Sequence, residues 1–261
     1  MLLDTPVRLG VQIQPQHATY AQIRDAVTRL EEMGVDILFN WDHFFPLFGD
    51  PDGPHFEGWT MLAAWAEQTE RVEFGALVNC NSYRNPDLQA DMARTIDHIS
   101  GGRFIFGTGS GWFERDYTEY GYEFGTAGSR LNDLAEGLDR VVARWGKLNP
   151  APVRHIPVMI GGKGEQKTLR LVARHADIWH SFVGPDELAH KVSVIERWAE
   201  TEQRDVSGLV VSNELARRDE SDADALFDSG VRLFTLGWAP DEADYDAVAA
   251  WLRWRDGKNG A

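Results

Sequence analysis

The chain has 261 residues, and its 41 Asp plus Glu against 26 Lys plus Arg give a net charge of −15. That acidity argues against a nucleic-acid-binding protein, which needs clustered cations to meet a phosphate backbone. Cys80 is the single cysteine, so an intramolecular disulfide and a multi-cysteine zinc site are both excluded.

The start of the chain holds Asp4 and Pro6 and no apolar signal region. Nowhere do about 18 apolar residues run together, so no membrane span is expected and a cytoplasmic protein is. From there, short apolar segments alternate with stretches of helical period. The first strand is expected over residues 7–13. A helix follows over 21–33, with Ile23, Ala26, Val27 and Leu30 on one face and Gly34 as its C-cap. Strands are expected over 36–41 and 72–78. Pro86 then opens a helix over 86–99, with Asn85 as N-cap and Leu88, Met92, Ile96 and Ile99 as its apolar face. A strand over 103–107 precedes a long interval that must hold a large loop and a helix over 131–145, with Leu134, Leu138, Val141, Val142 and Trp145 as its apolar face. Next come a strand over 156–160, a helix over 165–175 and a strand over 177–183. A helix over 187–200 is capped by Asp186, and strands are expected over 208–212 and 231–237. The acidic residues between Asp219 and Asp228 read as a solvated helix face, and a last helix covers 245–254. Eight such strands, with no linker between them, predict an α/β fold of one domain over residues 1–261. That fold is a (β/α)8 TIM barrel rather than an open doubly wound sheet.

Active sites of such barrels sit at the C-terminal ends of the strands. The second strand ends in Asp42-His43, where the imidazole reads equally as a group for proton transfer or cofactor contact and as a local cap. The third runs into Asn79, Cys80 and Arg84, with nothing to mark Cys80 as a nucleophile. The fourth ends in Gly107-Thr108-Gly109-Ser110-Gly111-Trp112, glycines that let a ligand approach the backbone and a ring on which it can lie. The fifth is followed by Gly161-Gly162-Lys163-Gly164, expected to open a helix. Free N–H groups, the helix dipole and Lys163 would there favour an anion. It is not a Walker loop, since the Gly-Lys-Ser/Thr ending is absent. The eight histidines have no ligand spacing, so no metal is expected. Trp41, Trp112, Phe113 and Trp179 read as an aromatic lining for a flat or apolar substrate.

Taken together and in order, several segments resemble the luciferase-like flavin and deazaflavin oxidoreductases. They are Trp41 to Phe44, Asn81 to Pro86, Thr95 to Arg103, Gly107 to Glu114 and Ile160 to Arg170. The branch using coenzyme F420 is the nearest in motif. The resemblance implies a luciferase-like barrel with the tricyclic ring in its mouth, Asp42 and His43 beside that ring, and His43 as the catalytic proton donor. It implies a non-prolyl cis peptide at Leu77–Val78, with Asn79 following, behind the ring. Ser110, Gly111 and Trp112 would follow the ribityl chain, and Gly161, Gly162, Lys163 and Gly164 would hold the phosphate. It also implies a homodimer acting on a small molecule, with neither nucleic acid nor membrane as partner. The chain departs from the pattern at Trp112, where relatives have a proton-donating Glu, and at Leu47, where they have Trp. No basic match lies near Val183, which argues against a sugar phosphate as substrate. Three functions follow: an F420-dependent oxidoreductase, an FMN-dependent monooxygenase of the same superfamily, and a non-catalytic carrier of the cofactor.

Overall fold

The computed structural model describes residues 5–215 and 219–260. Strands and helices alternate as β1 (Arg8–Ile13), α1 (Tyr20–Met33), β2 (Ile37–Asn40), α2 (Gly58–Gln68), β3 (Glu73–Ala76), β4 (Asn79–Cys80) and α3 (Pro86–Ile99). They continue as β5 (Phe104–Gly109), α4 (Glu114–Tyr120), α5 (Ala127–Trp145), β6 (Val158–Gly161), α6 (Thr168–His175) and β7 (Ile178–Ser181). The last are α7 (Pro185–Glu202), β8 (Val210–Glu214), α8 (Glu220–Asp228), β9 (Val231–Trp238) and α9 (Tyr245–Asn259).

All strand pairs within the barrel are parallel, and the sheet closes on itself. β9 pairs with β1 from Arg8 opposite Leu233 to Ile13 opposite Trp238, while β3 and β4 both pair with β5. β3 and β4 are one barrel strand interrupted at Leu77–Val78, which leaves a closed eight-stranded TIM barrel. The Leu77–Val78 peptide is cis, at the position expected. Inside the barrel, Ile37, Phe39, Ile105, Met159, Ile178 and Leu233 fill one cluster. A larger core lies between the strands and the outer helices. Strand neighbours approach so closely at Gly75 and Gly107 that a Cβ at either would strike the backbone oxygen of the next strand.

The eight expected strands all form, with ends displaced by a few residues. α1 is capped as its sequence implies. Thr19 and Gln22 form a capping box, and Gly34 takes φ +93° at the C-cap. Four local expectations are corrected. In α3 the buried positions are Gln89, Ala90, Ala93, Ile96 and Asp97, whereas Leu88 and Ile99 are exposed. The helix is turned by the Gln89 amide, which accepts from Asn79 and donates to the Asn81 carbonyl beneath the barrel mouth. Val142 of α5 is likewise exposed. Asp186 lies within the first turn of α7 and Gly184 is the N-cap, because Pro185 supplies the first helical position. Finally, α6 begins at Thr168, and residues 165–167 form a turn before it. α2 and α4 are additional helices within the intervals left as loop.

Candidate functional site

The C-terminal ends of the strands enclose a cavity of about 430 Å³. Asp42, His43, Leu77, Val78, Asn79, Ser110, Gly111, Trp112, Gly161 and Gly162 all line it, although they come from four separate strand ends. Cys80 and Trp41 line it too. Lys163 and Gly164 do not. The Lys163 side chain is 62% exposed, and its ammonium lies 3.7 Å from the Glu187 carboxylate. Nor do Phe113 and Trp179. Trp179 is fully buried among the outer helices and donates its indole N–H to the Gly162 carbonyl. Phe113 packs edge-on against His43.

The β2 end is built from charged side chains fixed by one another. The Asp42 carboxylate takes both guanidinium arms of Arg84, at 2.7 and 3.0 Å, and the Cys80 N–H at 3.0 Å. Burial pushes Asp42 above the ordinary carboxylate range, against the pull of Arg84. Arg84 also binds Glu57 at 2.6 Å and lies over the Trp59 ring. Arg84 therefore supports the cavity wall without facing the cavity. The His43 Nδ1 lies 2.7 Å from Asp116, a fully buried carboxylate that also receives the Tyr83 hydroxyl and the Phe44 N–H. An ionised carboxylate only accepts, so Nδ1 donates and Nε2 is the nitrogen left for a ligand. Asp116 has no counterpart among the expected site residues. Its signal in the sequence is weak: a first-turn acid of a short helix, two positions after the exposed Glu114.

Cys80 is 4% exposed, and burial pushes its thiol up to about 11, with the Tyr117 hydroxyl at 3.2 Å. It is inert at neutral pH. Gly111 takes φ +77°, and a Cβ there would collide with Cys80 and the Tyr117 hydroxyl.

The opposite side of the mouth is made mostly of backbone. Gly162 adopts φ +120° and donates to the His180 carbonyl. Among the described residues, the N–H groups of Lys163, Gly164, Glu165, Gln166 and Lys167 meet no protein acceptor. They lie beside Gly161 and Gly162 and precede the N-terminus of α6, an arrangement suited to an anion. The His180 ring is buried against Ser212 at 2.9 Å, and burial holds it down at about 4, hence neutral. Gln12, Gln14, Glu214 and Thr235 bring polar groups from β1, β8 and β9. The Thr235 hydroxyl is buried with no hydrogen-bond partner among the described residues. These strand ends are absent from the sequence-derived site; Gln12 reads there as an ordinary strand position, and Gln14 lies just past the expected strand. The described residues contain no metal-binding cluster of His, Cys, Asp or Glu, and none of their helices is long and apolar enough to cross a membrane.

Residues 2–253 match the model of the luciferase-like monooxygenase family, and the chain belongs to that family. Among relatives, it is 28% identical over 223 residues to the pyrimidine monooxygenase RutA of Allorhizobium ampelinum, covering 75% of this chain and 60% of that one. It is 26% identical over 219 residues to RutA of Pantoea ananatis, covering 74% and 59%. The chain thus spans about three-fifths of the length of these relatives. Among solved structures it is similar to an F420-dependent secondary alcohol dehydrogenase in complex with an F420-acetone adduct. There the TM-score is 0.80 at 16% identity, covering 90% of this chain and 94% of that one. It is also similar to the FMN complex of the type II Baeyer-Villiger monooxygenase of Pseudomonas putida, with TM-score 0.63, 17% identity and coverage of 80% and 67%. At such identities the structural likeness establishes the fold.

Proposed function

We propose that the chain is an oxidoreductase that uses coenzyme F420 to move hydride to or from a small organic substrate. One observation carries the reading. His43, held by Asp116, lines a cavity that also meets Gly161 and Gly162, beside a run of unpaired peptide N–H groups. A flat ring bearing a phosphorylated tail fits that layout, with the ring near His43 and the phosphate on residues 163–167. The Thr235 hydroxyl, which has no hydrogen-bond partner among the described residues, offers a hydrogen bond to a ring edge. Bound there, the deazaflavin would supply the hydride. The protein's part is to position the ring against Leu77–Val78, to exclude water, and to give or take a proton at His43 Nε2. His43 assumes that role because Trp112 stands where an acid would be, and Glu114 is exposed outside the cavity.

The RutA relatives, named as monooxygenases, support a second reading in which FMN occupies the same cavity and oxygen is consumed. Parallel fluorescence titrations with F420 and FMN separate the two, since ten tryptophans provide the signal. Affinity for F420 on the order of micromolar, with weak FMN binding, is expected. The reverse preference moves the reading to the oxygen-using enzyme. Binding of both without turnover of any substrate would favour a carrier. His43→Ala should lower turnover and leave cofactor affinity nearly unchanged.

A further inference from the structure

Contiguous exposed apolar surface rimmed by polar groups marks a ligand-binding groove. Here Phe48 and Trp112 are each 63% exposed, and both line the cavity beside His43. They belong to one continuous wall. Phe48 meets the Trp41 ring edge-on at 6.3 Å, Trp41 meets His43 at 6.2 Å, and His43 meets Trp112 at 5.7 Å. The imidazole is thus set into a belt of ring faces and edges. Phe48 and Trp112 are the exposed rings of that belt and offer a ligand in the cavity apolar surface to lie against.

The charge of this side is as specific as its shape. The carboxylates of Asp42 and Asp116 both stand within the wall's hydrogen-bond network. The nearby cations are engaged elsewhere. Arg84 is clamped between Asp42 and Glu57. Arg130 donates to the Gly111 and Phe124 carbonyls and stacks over Phe124 at 4.0 Å. Among the described residues lining the cavity there is no Lys or Arg. A carboxylate or phosphate on a substrate beside His43 would lose its water and find no fixed cation in return.

We propose that the substrate is a flat, uncharged ring compound, held against Phe48 and Trp112 with its reacting group at His43, and that anionic substrates are rejected there. This rests on the reading that His43 serves turnover, and it narrows that reading to a substrate class. Neutral rings gain from offset or edge contact with the belt, and a hydroxyl on the ring can donate to the Nε2 lone pair left free by the Asp116 contact.

The test uses two probes of one shape and different charge, 2-naphthalenemethanol and 2-naphthoate, titrated into the full chain by calorimetry at pH 7.5. The alcohol should bind at least about tenfold more tightly. Phe48→Ala should weaken the alcohol about fivefold, an aromatic contact's worth. Because Phe48 is mostly exposed, this change leaves the core intact. Phe48→Lys should turn the preference toward naphthoate. Equal or tighter binding of naphthoate to the unaltered chain, no binding of either probe, or an unchanged alcohol affinity in Phe48→Ala would overturn the proposal. Titration of F420 and FMN on the same preparations decides the cofactor reading separately, so failure of one is distinguishable from failure of the other.

Discussion

The β2 and β6 ends of the barrel meet the same cavity by opposite means. At β2, Arg84 fixes Asp42 and Glu57, and Asp116 fixes His43, so each side chain has one place to be. At β6, glycines and peptide N–H groups without an acceptor among the described residues present the backbone itself, and the charged side chains are engaged elsewhere, Lys163 near Glu187, Glu165 with His190 and Lys191, and Lys167 with Asn132. The difference teaches where change is costly. A buried network fails when one partner is removed, because the others keep their desolvated charges. A backbone cradle ignores most side-chain changes.

Asp116→Ala probes the first half of that contrast most severely. It strands His43, Tyr83 and the Phe44 N–H, and should cost on the order of 3–5 kcal/mol in urea unfolding. The milder Asp116→Asn should keep the fold while lowering turnover by about two to four orders of magnitude, through loss of the fixed tautomer. Unchanged turnover in Asp116→Asn would detach Asp116 from the chemistry.

Arg84→Met should cost about 3 kcal/mol at pH 8 and less at pH 5. Burial already raises Asp42, and without Arg84 it takes up a proton more readily still, which relieves the penalty as pH falls. A loss that grew toward low pH would contradict this.

His180 sets a smaller effect at the far wall. Burial holds it down at about 4, so the unfolded chain binds the extra proton between about pH 6.5 and 4. Stability should therefore fall by about 2 kcal/mol from pH 7 to pH 5 on this account, and His180→Gln should flatten that slope. Lys163→Ala should do least. Exposed and paired, it should change cofactor affinity less than about threefold and stability not measurably. A tenfold loss of affinity would return the ammonium to the phosphate site and erase the contrast between the two strand ends.

Much of this was legible in residue order. The eight strands show as short apolar runs, because strands buried on both faces need little else. Asp42, His43 and the glycine-rich turns show because they punctuate the strand ends. α2 is hard to see in residue order because Ala63 and Ala64, off its buried face of Trp59, Met61, Leu62, Trp65 and Ala66, make the helix apolar nearly all round. The buried face of α3 departs from its apolar stripe because an amide, Gln89, takes the place the stripe assigns to Leu88.

Alternation of apolar runs and helical periods determined the barrel, since only closure gives eight strands neighbours on both sides. Local chemistry also determined caps such as Thr19 and Gly34, which act within a few residues. Tertiary structure alone decided which groups meet. Asp116 reaches His43 across 73 positions, Arg84 finds Asp42 across 42, and Lys163 turns to Glu187 rather than to the cavity. Those choices depend on which strand ends closure brings together, a geometry that no local pattern encodes.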